Sequence, residues 1–240
     1  MKASRRRIAA VFRKEVREYR HNGNIISAMT IFPIIFIIQP LVQVFTLSSR
    51  ASVPLRHEHS LLYILAVPVL IPATLASYSI VGERLQGTLE PLLSTPIRRE
   101  ELLAGKALAA FVPSVVLSYV IFGVFISVVE VFAVRSVASA LIRWPDVLAQ
   151  LVFTPLLAVW SIWVGIAISS RCADPRTSTQ LSMLASLPVV ALTTLTALNV
   201  IPPTLKTAVI FGAGLIVLIR LGGRFAAALF DRERLITGTR

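Results

Sequence analysis

The chain has 240 residues, 55% of them hydrophobic and 15% charged, with a mean hydropathy of +0.78 and a net charge of +12. This balance excludes a water-soluble globule, because whole windows of about 20 residues lack charge on every face, whereas a soluble core helix is apolar along one stripe. The single Cys172 also excludes an intramolecular disulfide and a cysteine-cluster metal site.

Residues 1–24 form a basic N-terminal segment. Ile8, Val11, Phe12, Val16 and Tyr19 recur at helical spacing with cations opposite. The pattern predicts an amphipathic helix lying along the cytoplasmic interface, the alternative being a basic flank without fixed structure. The opening SRRR resembles a twin-arginine export signal. However, Arg13, Lys14, Glu15, Arg17, Glu18 and Arg20 intervene before a run of full spanning length that carries no cleavage pattern.

Six apolar windows follow, at 25–47, 61–81, 107–133, 147–168, 181–201 and 207–221. At ~1.5 Å per residue each can cross or nearly cross a hydrocarbon core of ~30 Å. Backbone groups in lipid must be satisfied within the segment, so the spans are helices, and the ~10-residue alternating strands of a barrel are not seen. The last span continues through Arg220 toward Phe230, with the arginine snorkelling to the interface. The expected fold is an all-α integral membrane protein of six transmembrane helices. Segment 1–24 and tail 231–240 are cytoplasmic, and the spanning domain is 25–230. Nineteen of the 24 Lys and Arg residues fall on the side of the two termini, which predicts that both are cytoplasmic. Anionic headgroups then account for the positive charge, and a nucleic-acid partner loses its motivation.

Between the second and third windows lies the one long polar stretch, 82–106. A helix there would place Glu83, Gln86, Gly87 and Glu90 on one face, with Leu85, Leu89, Leu92 and Leu93 offering an apolar face to a groove. Pro91 interrupts it. Thr95 and Pro96 then read as the N-cap and first residue of a new helix that runs through Glu100, Glu101, Gly105 and Lys106 into the third span.

Glu83, Gly87, Thr88, Leu89, Glu90, Leu92, Leu93, Thr95 and Pro96, followed by Gly105 and Lys106, resemble the E-x-x-x-G-T-L-E-x-L-L-x-T-P pattern of the permease subunits of ABC-2 type transporters. The order of elements is similar across nearly the whole chain. The resemblance implies a bacterial plasma-membrane permease half that docks a separate ATP-binding cassette subunit through a coupling helix between spans two and three. The docking residues would be Glu83, Gln86, Gly87, Thr88, Leu89, Glu90, Leu92 and Leu93. It also implies ATP and Mg on the partner chain, no cofactor on this one, and a second permease chain, identical or sister. The compact build is most similar to drug-efflux members, including those that export fluoroquinolone-type antibiotics; ion, lipid and glycan carriers are the alternatives within the family.

Candidate pathway residues are Gln39 and Gln43 in span one and Ser182, Ser186 and Thr193 along span five, where packing is the competing role. Ser114 and Ser118 form a similar pair in span three. Trp160 and Trp163 could stack on an aromatic cargo or fill the bundle, and the latter is favoured. The His57-Glu58-His59 triplet reads as a solvated external loop rather than a zinc site, and no nucleotide-binding, hydrolase or metalloprotease motif is present. Catalytic residues are expected to be absent. A secondary transporter would need two similar halves with ionisable groups at the midplane, and neither is visible.

Overall fold

The structure, a computed structural model, describes residues 2–46, 59–87 and 97–229. It is all-helical there, with eight α-helices: α1 Lys2–Tyr19, α2 Gly23–Thr46, α3 Val67–Leu85, α4 Arg99–Phe132, α5 Arg135–Leu141, α6 Trp144–Ser169, α7 Pro175–Ala197 and α8 Leu205–Leu229. A short 3-10 helix, Ser60–Ala66, leads directly into α3. Five segments are long and apolar enough to cross a membrane: Ser60–Leu85, Glu100–Phe132, Trp144–Ser169, Pro175–Ala197 and Leu205–Ala226. The first expected span falls on α2, whose apolar stretch Ile25–Ile38 is shorter.

The helices begin where local chemistry lets them. α7 starts six residues ahead of the expected window because Asp174 caps it, its Oδ2 accepting from the Thr177 amide at 2.9 Å, with Pro175 in the first turn. A hydropathy window misses that polar first turn. α4 starts later than Thr95: its N-cap is Arg98, whose amide donates to Glu101 Oε2 at 3.2 Å. From there it runs unbroken through Gly105 and Lys106 into the apolar span, as expected. The short α5 lay unseen in the sequence; it buries Val137, Ala140 and Leu141.

α3 is the axis of the bundle. Nearly its whole apolar window is buried, and it packs against α6, α7, α4 and α2. Small residues allow a close approach between α3 and α6: a Cβ on Gly165 would stand 2.7 Å from the Ala76 Cβ and 3.1 Å from the Ala73 carbonyl oxygen. Hydroxyls fasten the same seam. Ser169 Oγ donates to the Ser77 carbonyl at 2.6 Å and accepts from the Ile80 and Val81 amides at 3.2 Å, while Ser161 Oγ donates to the Val69 carbonyl. Trp160 and Trp163 pack where Gly222 and Gly223 of α8 make room. The outer faces are apolar. Ile31, Ile34, Ile35 and Ile38 on α2 and Val116, Val120 and Val124 on α4 are each more than half exposed, a surface suited to lipid rather than water.

α1 departs from expectation. Its apolar side does not face lipid but lies on α4. Val11 and Tyr19 are buried in the main core, and Phe12 and Val16 pack against it. The crossing is at Gly105, where a Cβ would come within 2.7 Å of Val11. Arg5, Arg6, Arg13, Arg17 and Arg20 occupy the exposed side.

Candidate functional site

The docking of α1 assembles a set of charges at the roots of segment 88–96. Lys106 sits two turns into α4 with a fully buried side chain. Its ammonium donates to Glu15 Oε1 of α1 at 2.7 Å and to the Ser79 carbonyl of α3 at 2.6 Å, and it pairs with Glu83 Oε2 in the last turn of α3 at 2.9 Å. Two hydrogen bonds and an ion pair thus surround the ammonium from two other helices, which is what a charge removed from water requires. Lys14 completes the node from its wetter side, pairing with Glu83, with Glu18 at 3.1 Å and with Glu15 at 3.8 Å.

A second clamp lies one turn nearer the start of α4, where the Arg7 guanidinium grips Glu101 through Nε at 2.7 Å and Nη2 at 2.8 Å. On the other root, Arg84 Nη1 donates to the Cys172 carbonyl at 2.9 Å, tying the end of α3 to the α6–α7 turn.

The electrostatics follow burial. Desolvation raises the Glu15 carboxyl above its ordinary range, Lys106 opposing the shift and the Glu83 charge adding to it. Burial pushes the Tyr19 phenol well up, with Glu15 and Glu18 adding to the effect. Lys14 is held above its usual value: burial works against the ammonium, but the hydrogen bond and charge of Glu83 win. An open cleft of about 500 Å³ adjoins the node, lined by Glu15, Glu18, Tyr19, Tyr78 and Glu83 and reaching Gln86 at the loop root.

The expected docking residues separate here. Glu83 does not share an outward face with Gln86 and Gly87: it is buried in the node, 3% exposed, while Gln86 and Gly87 are exposed. The helix that the spacing suggested stops at Leu85, with Gln86 as its cap and Gly87 at φ +66°, the left-handed region that suits glycine. Thr88, Leu89, Glu90, Leu92 and Leu93, together with Thr95 and Pro96, lie outside the described residues. So do the side chains of Gln39 and Gln43, which fall on α2.

Ser182, Ser186 and Thr193 share the inward side of α7 with Ser178 and Val189. Ser186 Oγ donates to the Ser182 carbonyl at 2.7 Å, and Thr193 Oγ1 to the Val190 carbonyl at 2.9 Å.

Sequence reasoning missed three features. The sequence places Lys106 in the helix that enters the third span and Glu15 in the basic N-terminal segment without pairing them, although a lysine this close to an apolar span is the available hint. His59 is no solvated loop residue: its Nδ1 lies 2.7 Å from Asp146 Oδ1, and its amide donates to the Ala197 carbonyl at 2.8 Å. His57 and Glu58 lie outside the described residues. Gln150, one turn beyond Asp146 on α6, is fully buried.

No curated protein matches the chain. A family model does, the ABC-2 family transporter protein, over residues 9–212. That match runs from the buried face of α1 through the node and the spanning helices into α8, so the chain belongs to the ABC-2 transporter family, the multi-pass membrane subunits of ABC transporters.

Proposed function

We propose that the chain is the membrane-spanning half of an ATP-binding cassette exporter that moves a drug or another hydrophobic small molecule outward. α2 serves as the first of six spans, both termini are cytoplasmic, and a second permease chain completes the pathway. A separate cassette subunit, carrying ATP and Mg, docks on segment 83–93, with Gln86, Gly87, Thr88, Leu89, Glu90, Leu92 and Leu93 forming the contact. Export direction and cargo rest on family resemblance. The short α7–α8 link, residues 198–204, leaves no room there for a large external domain of the kind a bulky polymer would need.

The observation that carries this reading is the node. Glu83 stands on one root of the segment, Lys106 on the other, and α1 supplies Glu15 and Lys14 to both. Pulling any one of the three helices away strips buried charges of partners that it supplies, so the three helix ends move as a block. A push on the segment is therefore delivered to α3, and α3 touches most of the bundle. Of the residues assigned to docking, Glu83 serves as an anchor of the lever rather than as contact surface.

Purification of the tagged chain from its native membranes tests the assignment: a cassette ATPase should accompany it. Glu90→Arg and Gly87→Trp should keep insertion and assembly but lose transport while ATP hydrolysis continues. Transport by the chain alone, reconstituted without any ATPase, would contradict the reading.

A further inference from the structure

Inside the bundle, well away from the node, several fully or almost fully buried polar atoms make no hydrogen bond. Gln150 has neither amide atom paired, and the hydroxyls of Thr154, Ser114 and Ser60 are also without partners. Interiors hold few such groups, and each calls for water, a ligand or a second arrangement of the protein. Serine and threonine in membrane helices usually donate back to the carbonyl four residues earlier, as Ser118 does to Ser114 at 2.8 Å and Ser186 does to Ser182 at 2.7 Å. Thr154 and Ser114 do not, and their hydroxyls are left without a partner.

Asp146, Gln150 and Thr154 follow at i, i+4 and i+8 on α6, a buried ridge about 12 Å long. The His59–Asp146 contact places Ser60 beside its head. Tyr119 Oη donates to the Leu151 carbonyl at 2.9 Å, which sets the register of α4 against α6. Because the two helices run in opposite directions, Ser114 and Thr154 lie to the same side of that contact, ~7.5 and ~4.5 Å from it at the helical rise. The neighbouring chain is the 3-10 helix Ser60–Ala66, a geometry that is used in short pieces and is common at hinges. The charge of Asp146 is already met by His59 and by Arg143 at 3.5 Å, so the ridge suits neutral hydrogen-bonding partners rather than ions.

We propose that the Gln150–Thr154 ridge, with Ser114 and Ser60, is a stretch of the cargo path that fills with water when the bundle opens. The proposal rests on the permease reading, and its test separates the two. In a Cys172→Ser background, Gln150→Cys and Thr154→Cys are treated with methanethiosulfonate ethylammonium in native membranes that contain the ATPase partner, with ATP alone and with ATP plus vanadate. Leu157→Cys, on the same helix but apolar and fully buried, is the dry control. Gln86→Cys, exposed at the loop root, reports docking.

Because the reagent needs a thiolate, and a thiolate needs water, positions 150 and 154 should react about tenfold faster than 157, at rates that change with nucleotide state. Thr154→Cys is nearly isosteric and keeps the test alive where Gln150→Cys fails to assemble. Reaction at 150 and 154 as slow as at 157 in every state, with Gln86→Cys responding to nucleotide, overturns the path and leaves the permease reading standing. Fast reaction that ignores nucleotide marks a static wet pocket and also overturns it. A Gln86→Cys indifferent to nucleotide overturns the permease reading, and the path with it.

Discussion

The two ends of the bundle hold buried charge in opposite ways. At the α1 end, Lys106 meets Glu15, Glu83 and the Ser79 carbonyl, and each root of segment 88–96 has a further clamp in Arg7–Glu101 or Arg84–Cys172. At the other end, His59 and Arg143 meet Asp146, but one turn deeper Gln150 is left without a partner. A network of opposed charges resists rearrangement because separating the pairs strands buried charge. An unsaturated one gains bonds by moving. On the permease reading proposed above, the chain is stiff where work would enter and compliant where the spans would part.

The comparison breaks most severely at its stiff end. Lys106→Met should leave Glu15 and Glu83 with only the half-buried Lys14 ammonium and cost about 3–5 kcal/mol of stability, as for other buried pairs cut on one side. Thermal unfolding in detergent measures it, and Lys106→Met with Glu15→Gln should recover part of the loss, since one stranded charge goes with the other. Next comes the seam between the ends. Gly165→Leu drives carbon into Ala76 and the Ala73 carbonyl and should cost roughly 1–3 kcal/mol or more by overpacking, seen as lower yield and melting temperature. His59→Ala should be milder, about 1.5–3 kcal/mol at most for one hydrogen bond to a carboxylate, and should loosen only the 3-10 end, read by hydrogen exchange of residues 60–66. Arg7→Ala should be the smallest: the guanidinium is partly exposed, so water can take its place at the buried Glu101 carboxylate, and the melting temperature should fall only slightly.

Much of this architecture can be read from local pattern. The spans follow from charge-free windows, and the capped start of α4 could have been placed correctly from Glu101, three residues beyond Arg98. What local pattern lacks is the identity of the neighbour. The stripe of Val11, Phe12, Val16 and Tyr19 announces an apolar surface nearby but does not say whether that surface is lipid or α4; the small Gly105 was the sole hint of a helix crossing. Glu83 shows the same limit. Its spacing to Gln86 and Gly87 suits one helical face, but Gly87 takes a left-handed turn and Glu83 finds Lys106, 23 residues on, and Lys14, 69 residues back. Gln150 escaped notice because an amide near a span's end looks interfacial until the fold buries it.

The burial of α3 bears on how the protein is made. This helix leaves the ribosome before most of the chain that will enclose it, and its partners Ser161 and Ser169 arrive 92 residues later. In the meantime it must survive in lipid with its hydroxyls away from water. Thr74 Oγ1 donates to the Ile71 carbonyl and Ser77 Oγ to the Thr74 carbonyl, each at 2.7 Å, so those groups are satisfied from within their own helix. With these two hydroxyls met from within, α3 can wait in the bilayer until α6 and α7 are threaded around it.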